Sequence, residues 1–116
     1  VDTLTIEEYR GYVERATSER DFQNIVRGYA TLCGWHHSYH TLRSAGSDPG
    51  FPDLVLVRDE VLLFVELKTQ KGKIRKEQES WGQALVQVEG AVPWNVKYRL
   101  WRPSDWDQIV ETLSRP

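Results

Sequence analysis

The sequence holds one cysteine, Cys33, among 116 residues. An intramolecular disulfide is therefore impossible, and no Cys/His cluster carries the spacing of a structural zinc site. Reducing conditions suit such a chain. Long hydrophobic runs are also missing: the longest uncharged apolar stretch covers residues 61–65, far short of the roughly 20 residues that a membrane-spanning helix needs. No charged-then-apolar leader is recognised at its start, so a soluble, cytoplasmic protein with no membrane partner is expected. Neither sign of charge dominates, with 15 Lys and Arg against 17 Asp and Glu. The molecule as a whole does not advertise nucleic-acid binding, and any electrostatic argument must rest on where the charges lie. Repeats and low-complexity segments are absent. What is present is 40% hydrophobic content, which suits one compact domain around a single core and leaves no room for a second.

The spacing of apolar residues predicts alternating helices and strands. Thr5 with Glu8 three residues on resembles a capping box and opens a short helix to about residue 16. Ser18 is the expected N-cap of a second helix over 18–34: Phe22, Ile25, Val26, Tyr29, Ala30 and Cys33 recur at helical spacing, and Gly34 supplies the stop. A strand is predicted over 35–41 and a Gly/Ser/Pro-rich loop over 44–52. Two strands over 54–57 and 61–68, joined by a tight turn, read as a hairpin. A helix follows over 75–88, with Ile74, Trp81, Ala84, Leu85 and Val88 tracing its inward stripe. Another strand covers 95–101, and Ser104 caps a last helix ending near 113. This order predicts an α/β fold, a mixed central sheet flanked by helices. Trp35, Trp81 and Trp101 occupy apolar-patterned positions and are assigned to the core.

Chemistry enters where charge interrupts the pattern. Residues 61–65 form a continuous apolar run, as expected of a central strand buried on both faces, yet it ends in Glu66, Leu67 and Lys68. Glu66 and Lys68 share a face, about 7 Å apart at Cα; they form either an ion pair at the sheet rim or part of a site. Hairpin geometry adds Asp53. If Asp59 and Glu60 make a two-residue turn, Arg58 pairs with Val61 and Asp53 falls opposite Glu66, with Cβ atoms about 5 Å apart. A three-residue turn without a bulge would send Asp53 to the other face. Two carboxylates that close repel unless one is protonated or a cation lies between them, and hard oxygen donors suit Mg²⁺ or Mn²⁺.

Two helical polar residues point the same way. Gln78 lies within the apolar stripe of its helix and needs a partner there. Glu19 precedes Phe22 by three residues and Val26 by seven, so it sits on an apolar face too; it either joins the site or is held by the helix dipole. Between the catalytic-looking strand and the next helix, five of the nine residues over 68–76 are basic (Lys68, Lys71, Lys73, Arg75 and Lys76) and none is acidic. Such a run is a candidate phosphate-binding patch. His36, His37 and His40 are close in sequence, but a strand puts His37 opposite the other two, so zinc is not expected.

Gly50-Phe51-Pro52-Asp53, then Val65-Glu66-Leu67-Lys68-Thr69, Lys71-Gly72 and Glu77-Gln78 before Trp81, together resemble the virus-type replication-repair nuclease (VRR-NUC) branch of the PD-(D/E)XK nucleases. Glu19-x-x-Phe22, Gly34-Trp35 and His40 fit the same pattern. The resemblance implies a restriction-endonuclease-like core, with residues 1–17 as a helical extension and 18–116 as the nuclease domain. It implies that Asp53, Glu66, the Leu67 backbone carbonyl and, through water, Glu19 bind Mg²⁺ or Mn²⁺. Lys68 would assist the attacking water, and Gln78 and Glu19 would complete the catalytic set. His40, Arg43, Lys71, Lys73, Arg75 and Lys76 are the candidate contacts to duplex or branched DNA. Stand-alone viral members are dimeric junction resolvers, so a homodimer cutting four-way DNA in phage or prophage replication or repair is expected. The apolar stripe of Leu4, Ile6, Tyr9, Tyr12 and Val13 is either its interface or packed on its own domain. The other readings are a catalytically idle DNA-binding module and a protein-interaction domain in which Glu66 and Lys68 are a structural pair.

Overall fold

A computed structural model describes residues 3–16, 18–41 and 48–115. Its elements are α1 (Thr3–Arg15), α2 (Glu19–Leu32), β1 (His37–His40), β2 (Leu54–Arg58), β3 (Val61–Leu67), α3 (Lys76–Ala91), β4 (Val96–Trp101), a 3₁₀ turn (Pro103–Asp105) and α4 (Trp106–Ser114). The four strands form one sheet in the order β1-β2-β3-β4. β1 with β2 and β2 with β3 are antiparallel, whereas β3 and β4 are parallel, with α3 as the crossover between them. The architecture is the mixed α/β arrangement that the pattern of elements predicts.

Local chemistry explains the boundaries. Ser18 caps α2 by accepting from the Asp21 N–H at 3.1 Å, and Phe22, Val26, Tyr29 and Ala30 form its buried face. The β2–β3 hairpin closes on Arg58 paired with Val61, so Asp59 and Glu60 are the whole turn. Asp59 takes the left-handed conformation that this turn demands, with φ 53. On one side of the sheet Leu63, Val65 and Leu67 of β3 join Leu54 and Leu56 of β2, α2, and Ile109 and Leu113 of α4 in a single core. The Trp35 indole donates to the Leu113 carbonyl at 2.8 Å, tying the end of α2 to α4. α3 packs against β4 on the other side, where Phe51 and Trp81 meet edge-on at 5.0 Å.

Several expectations are corrected. α1 begins at Thr3, ahead of the Thr5 capping box. Part of its apolar side packs inside the domain, with Val13 buried, Ile6 and Tyr9 against the core and Tyr9 contacting Tyr29 and Trp106, while Tyr12 is exposed. The Leu4 side chain lies outside the described residues. The stripe assigned to α3 is wrong in part, because Ile74 lies ahead of the helix and Ile74, Ala84 and Val88 are exposed, leaving Gln78, Gly82 and Leu85 as the buried line. A helix on the flank of a sheet contacts it along a narrower strip than a core helix does, so half the apolar positions stay open. For the same reason Leu62 and Phe64 of β3 are only half-buried, as is Trp81. Ser104 is not a helix cap: it sits in the 3₁₀ turn, and its hydroxyl accepts from Gln70. Arg43 and residues 44–47 of the predicted 44–52 loop fall outside the described residues.

Candidate metal centre

The hairpin register carries Asp53 to the end of β3. Leu54 pairs with Val65, so the next residue back lies opposite Glu66. The Asp53 carboxylate is then fixed by the Leu67 N–H, which donates to its Oδ2 at 2.8 Å. The backbone on either side is held as well, since the Thr41 N–H donates to the Asp53 carbonyl at 2.9 Å and the Thr41 hydroxyl to the Pro52 carbonyl at 2.8 Å. Gly50 (φ +84) makes this approach possible, because a Cβ there would lie 2.3 Å from the Glu77 backbone.

Glu19, at the start of α2, reaches the same point. Carboxylate oxygens of Glu19, Asp53 and Glu66 lie within 4.8 Å of one another. These three come from a helix start, a loop and a strand end, and Asp53 and Glu66 are buried. Burial first, and the neighbouring Asp53 charge second, push the Glu66 carboxyl up to about 8, while Lys68 opposes the rise. Negative charge here extends to Tyr98, whose phenol is pushed up to about 12 by burial and by Glu66 and Asp53. Three hard oxygen donors that repel one another are suited to a divalent cation between them.

Gln78 answers the question that its burial raises. Its Nε2 donates to Glu66 Oε2 at 2.8 Å and its Oε1 accepts from the Arg75 N–H at 2.9 Å. One side chain thus caps α3 and orients a carboxylate of the cluster. Lys68 is buried to 7% exposure, and its N–H continues the β3–β4 ladder by donating to the Trp101 carbonyl at 3.0 Å. No direct ion pair joins it to Glu66 among the described residues, so the structural-pair reading loses its main support.

A cleft of about 440 Å³ opens beside the cluster, lined by Glu19, Arg20, Gln23, His40, Thr41 and Asp53 among others. His40 Nε2 lies 2.7 Å from Gln23 Oε1. Gln23 is a buried residue that the sequence reading passed over, although it follows Glu19 by four positions and so shares its helix face. His36 and His37 are exposed, and the only metal-competent cluster among the described residues is the carboxylate trio. Lys71, Lys73, Arg75 and Lys76 are all exposed on the segment leading into α3. Arg102, also overlooked, packs against that segment from the end of β4.

Buried carboxylates facing a cleft, beside a buried lysine and an exposed basic loop, form an arrangement that could hold a divalent cation next to a phosphate. The VRR-NUC domain family matches residues 4–94 of the chain. The protein belongs to this family of nuclease domains. No curated protein and no solved structure matches it.

Proposed function

We propose that the protein is a divalent-metal-dependent DNA endonuclease built on a PD-(D/E)XK core. The observation that carries the reading is the convergence of Glu19, Asp53 and Glu66 within 4.8 Å at the end of the central strand. Asp53, Glu66, the Leu67 carbonyl and, through water, Glu19 would hold Mg²⁺ or Mn²⁺. A cation held there would supply polarisation of a phosphoryl oxygen and a lowered pKa for bound water. The chain's own residues do the rest. Gln78 holds Glu66 in its rotamer, and the Leu67 N–H holds Asp53. Lys68, a compact ammonium in a site of low dielectric, donates to the attacking water and to the charge developing on phosphorus-bound oxygen. Lys71, Lys73, Arg75 and Lys76, with His40 and Arg43, bind the DNA backbone.

The preferred substrate in this proposal is branched DNA, in particular a four-way junction cut by a homodimer, because two symmetric nicks need two copies of a single-centre domain. In α1, Ile6, Tyr9 and Val13 pack on their own domain, whereas Tyr12 is exposed and available to such an interface. Incubating labelled linear, flap and four-way DNA with the protein in Mg²⁺, Mn²⁺ or EDTA tests the reading. Metal-dependent scission of DNA is expected, with paired nicks in the junction; absence of scission in both metals on every substrate would refute it.

A further inference from the structure

The segment from Lys68 to the start of α3 has little structure of its own. Its internal backbone bond is the Gly72 N–H to the Thr69 carbonyl, at 3.2 Å. A loop so lightly tied would hold its lysines only loosely, and the entropy of ordering them would be charged against DNA binding. Its order comes from outside. β3 and β4 are parallel and in register, Leu67 beside Trp101, so the residue that follows β4 emerges next to the loop that follows β3. That residue is Arg102.

The Arg102 Nη1 donates to the carbonyls of Thr69 at 2.7 Å, Gly72 at 2.8 Å and Gln70 at 3.3 Å. A second tie lies alongside: Gln70 Nε2 donates to the Ser104 hydroxyl at 3.0 Å, and the Ser104 N–H donates to Gln70 Oε1 at 3.0 Å. The Arg102 backbone is anchored in turn, its N–H donating to Asp105 Oδ2 at 2.8 Å. The guanidinium has no carboxylate partner among the described residues, so its charge is directed at backbone carbonyls. The loop that it secures also folds over Lys68: a Cβ on Gly72 would lie 2.9 Å from Thr69 Oγ1 and 3.5 Å from Lys68 Cδ.

We infer that Arg102 is a positioning residue for nucleic-acid engagement, holding the 69–72 turn so that Lys71 and Lys73 are pre-ordered beside the carboxylate cluster to receive a DNA phosphate backbone. This rests on the nuclease reading above. Charge-assisted bonds from a planar guanidinium to several carbonyls fix a loop in a way that a lysine ammonium, a flexible point charge, cannot reproduce. Arg102 therefore acts through Lys71 and Lys73, and its effect on DNA should vanish once they are gone.

The test is a double-mutant cycle read by DNA affinity in Ca²⁺, with Arg102→Ala and Arg102→Lys crossed against the Lys71→Ala/Lys73→Ala pair. Arg102→Ala alone should raise Kd about tenfold and reduce the dependence of log Kd on log salt, by up to about 1.8 if two phosphates are no longer neutralised. In the Lys71→Ala/Lys73→Ala background it should change Kd less than about twofold. Arg102→Lys should fall between wild type and Arg102→Ala, and hydrogen exchange at the Gly72 amide should quicken in step. If Arg102→Ala unfolds the protein, the same cycle is run with Arg102→Gln and Arg102→Lys. Additive losses would mean that Arg102 itself touches phosphate, and unchanged Kd would mean that the loop needs no clamp; either overturns the inference while wild-type cleavage leaves the nuclease reading standing. Wild-type protein that neither binds nor cuts DNA would instead sink that reading, and the inference with it.

Discussion

Replacing Glu66 by glutamine should stabilise the metal-free protein, although it removes a group from the proposed active centre. In the folded chain the Glu66 carboxyl is pushed up from 4.5 to about 8, by burial and then by Asp53. A carboxyl whose folded pKa is raised binds its proton more tightly in the folded than in the unfolded state. Its favourable contribution is therefore complete below about pH 4.5 and is lost as the pH rises through about 8. The displacement corresponds to roughly 5 kcal/mol at about 1.4 kcal/mol per pH unit. Solvent entering through the cleft screens the charge and reduces this to about 2 kcal/mol. Glutamine keeps the shape, accepts from Gln78 through its own oxygen and offers an amide to Asp53. Thermal melts in EDTA between pH 5 and pH 8.5 should separate the two proteins progressively, with Glu66→Gln melting roughly 8 °C higher at the alkaline end and the gap closing toward pH 5. Mg²⁺ should then raise the melting point of wild type and not of the variant. A variant less stable than wild type at pH 8, or a difference independent of pH, would refute the account of the cluster as repelling carboxylates.

Asp53→Ala and Lys68→Ala should each reduce DNA cleavage by at least about a thousandfold with circular dichroism unchanged, since both sit at a strand end; retained cutting in either would overturn its role. Gln78→Ala leaves a Glu66 oxygen and the Arg75 N–H without their partner, and should cost about 1–3 kcal/mol in a denaturant melt; a neutral result would mean that water replaces the amide at no cost. Ca²⁺ should support DNA binding with little scission, because its larger and more flexible shell positions water poorly, and rapid cutting in Ca²⁺ alone would contradict that. Reversing the charge of Lys71, Lys73 and Arg75 together should weaken binding to all sequences alike in a filter or anisotropy assay; altered sequence preference at unchanged affinity would count against a backbone-binding loop.

Much of the centre was legible because it depends on short-range geometry. The place of Asp53 opposite Glu66 follows from counting residues around a two-residue turn, and Gln78 is buried as expected, although of the two neighbours whose spacing suggests it Ile74 is exposed and Trp81 only half-buried. Ser18 as a cap follows from the chemistry of hydroxyls at helix starts. What stayed hidden depends on which elements meet in three dimensions. Nothing local says that the residue after β4 will lie beside the loop after β3, so Arg102 looked like any surface arginine. Gln23 was within reach, since the helix-face argument used for Glu19 applies to it unchanged. The face of α3 was misjudged because apolar residues on a flanking helix exceed what one side of a four-stranded sheet can cover, and Ile74 and Val88 remain in solvent. Ser104 was misread as a cap because a proline before it admits a 3₁₀ turn first.

The turn at Asp59 and Glu60 is distant from any chemistry, yet it acts as a measuring device. Strand residues advance by about 3.3 Å each, so the turn stands roughly 20 Å from the carboxylates whose opposition it sets. A residue added there can loop outward into solvent and leave every pairing as it was. One taken away cannot be accommodated so simply: the hairpin must either pinch to a single-residue turn or slide by one position, which would invert one strand against a core that Leu54, Leu56, Leu63 and Val65 define from both sides. Related chains should therefore tolerate lengthening at this tip far more readily than shortening, and the opposition of the two carboxylates would be inherited through a turn that lies far from them.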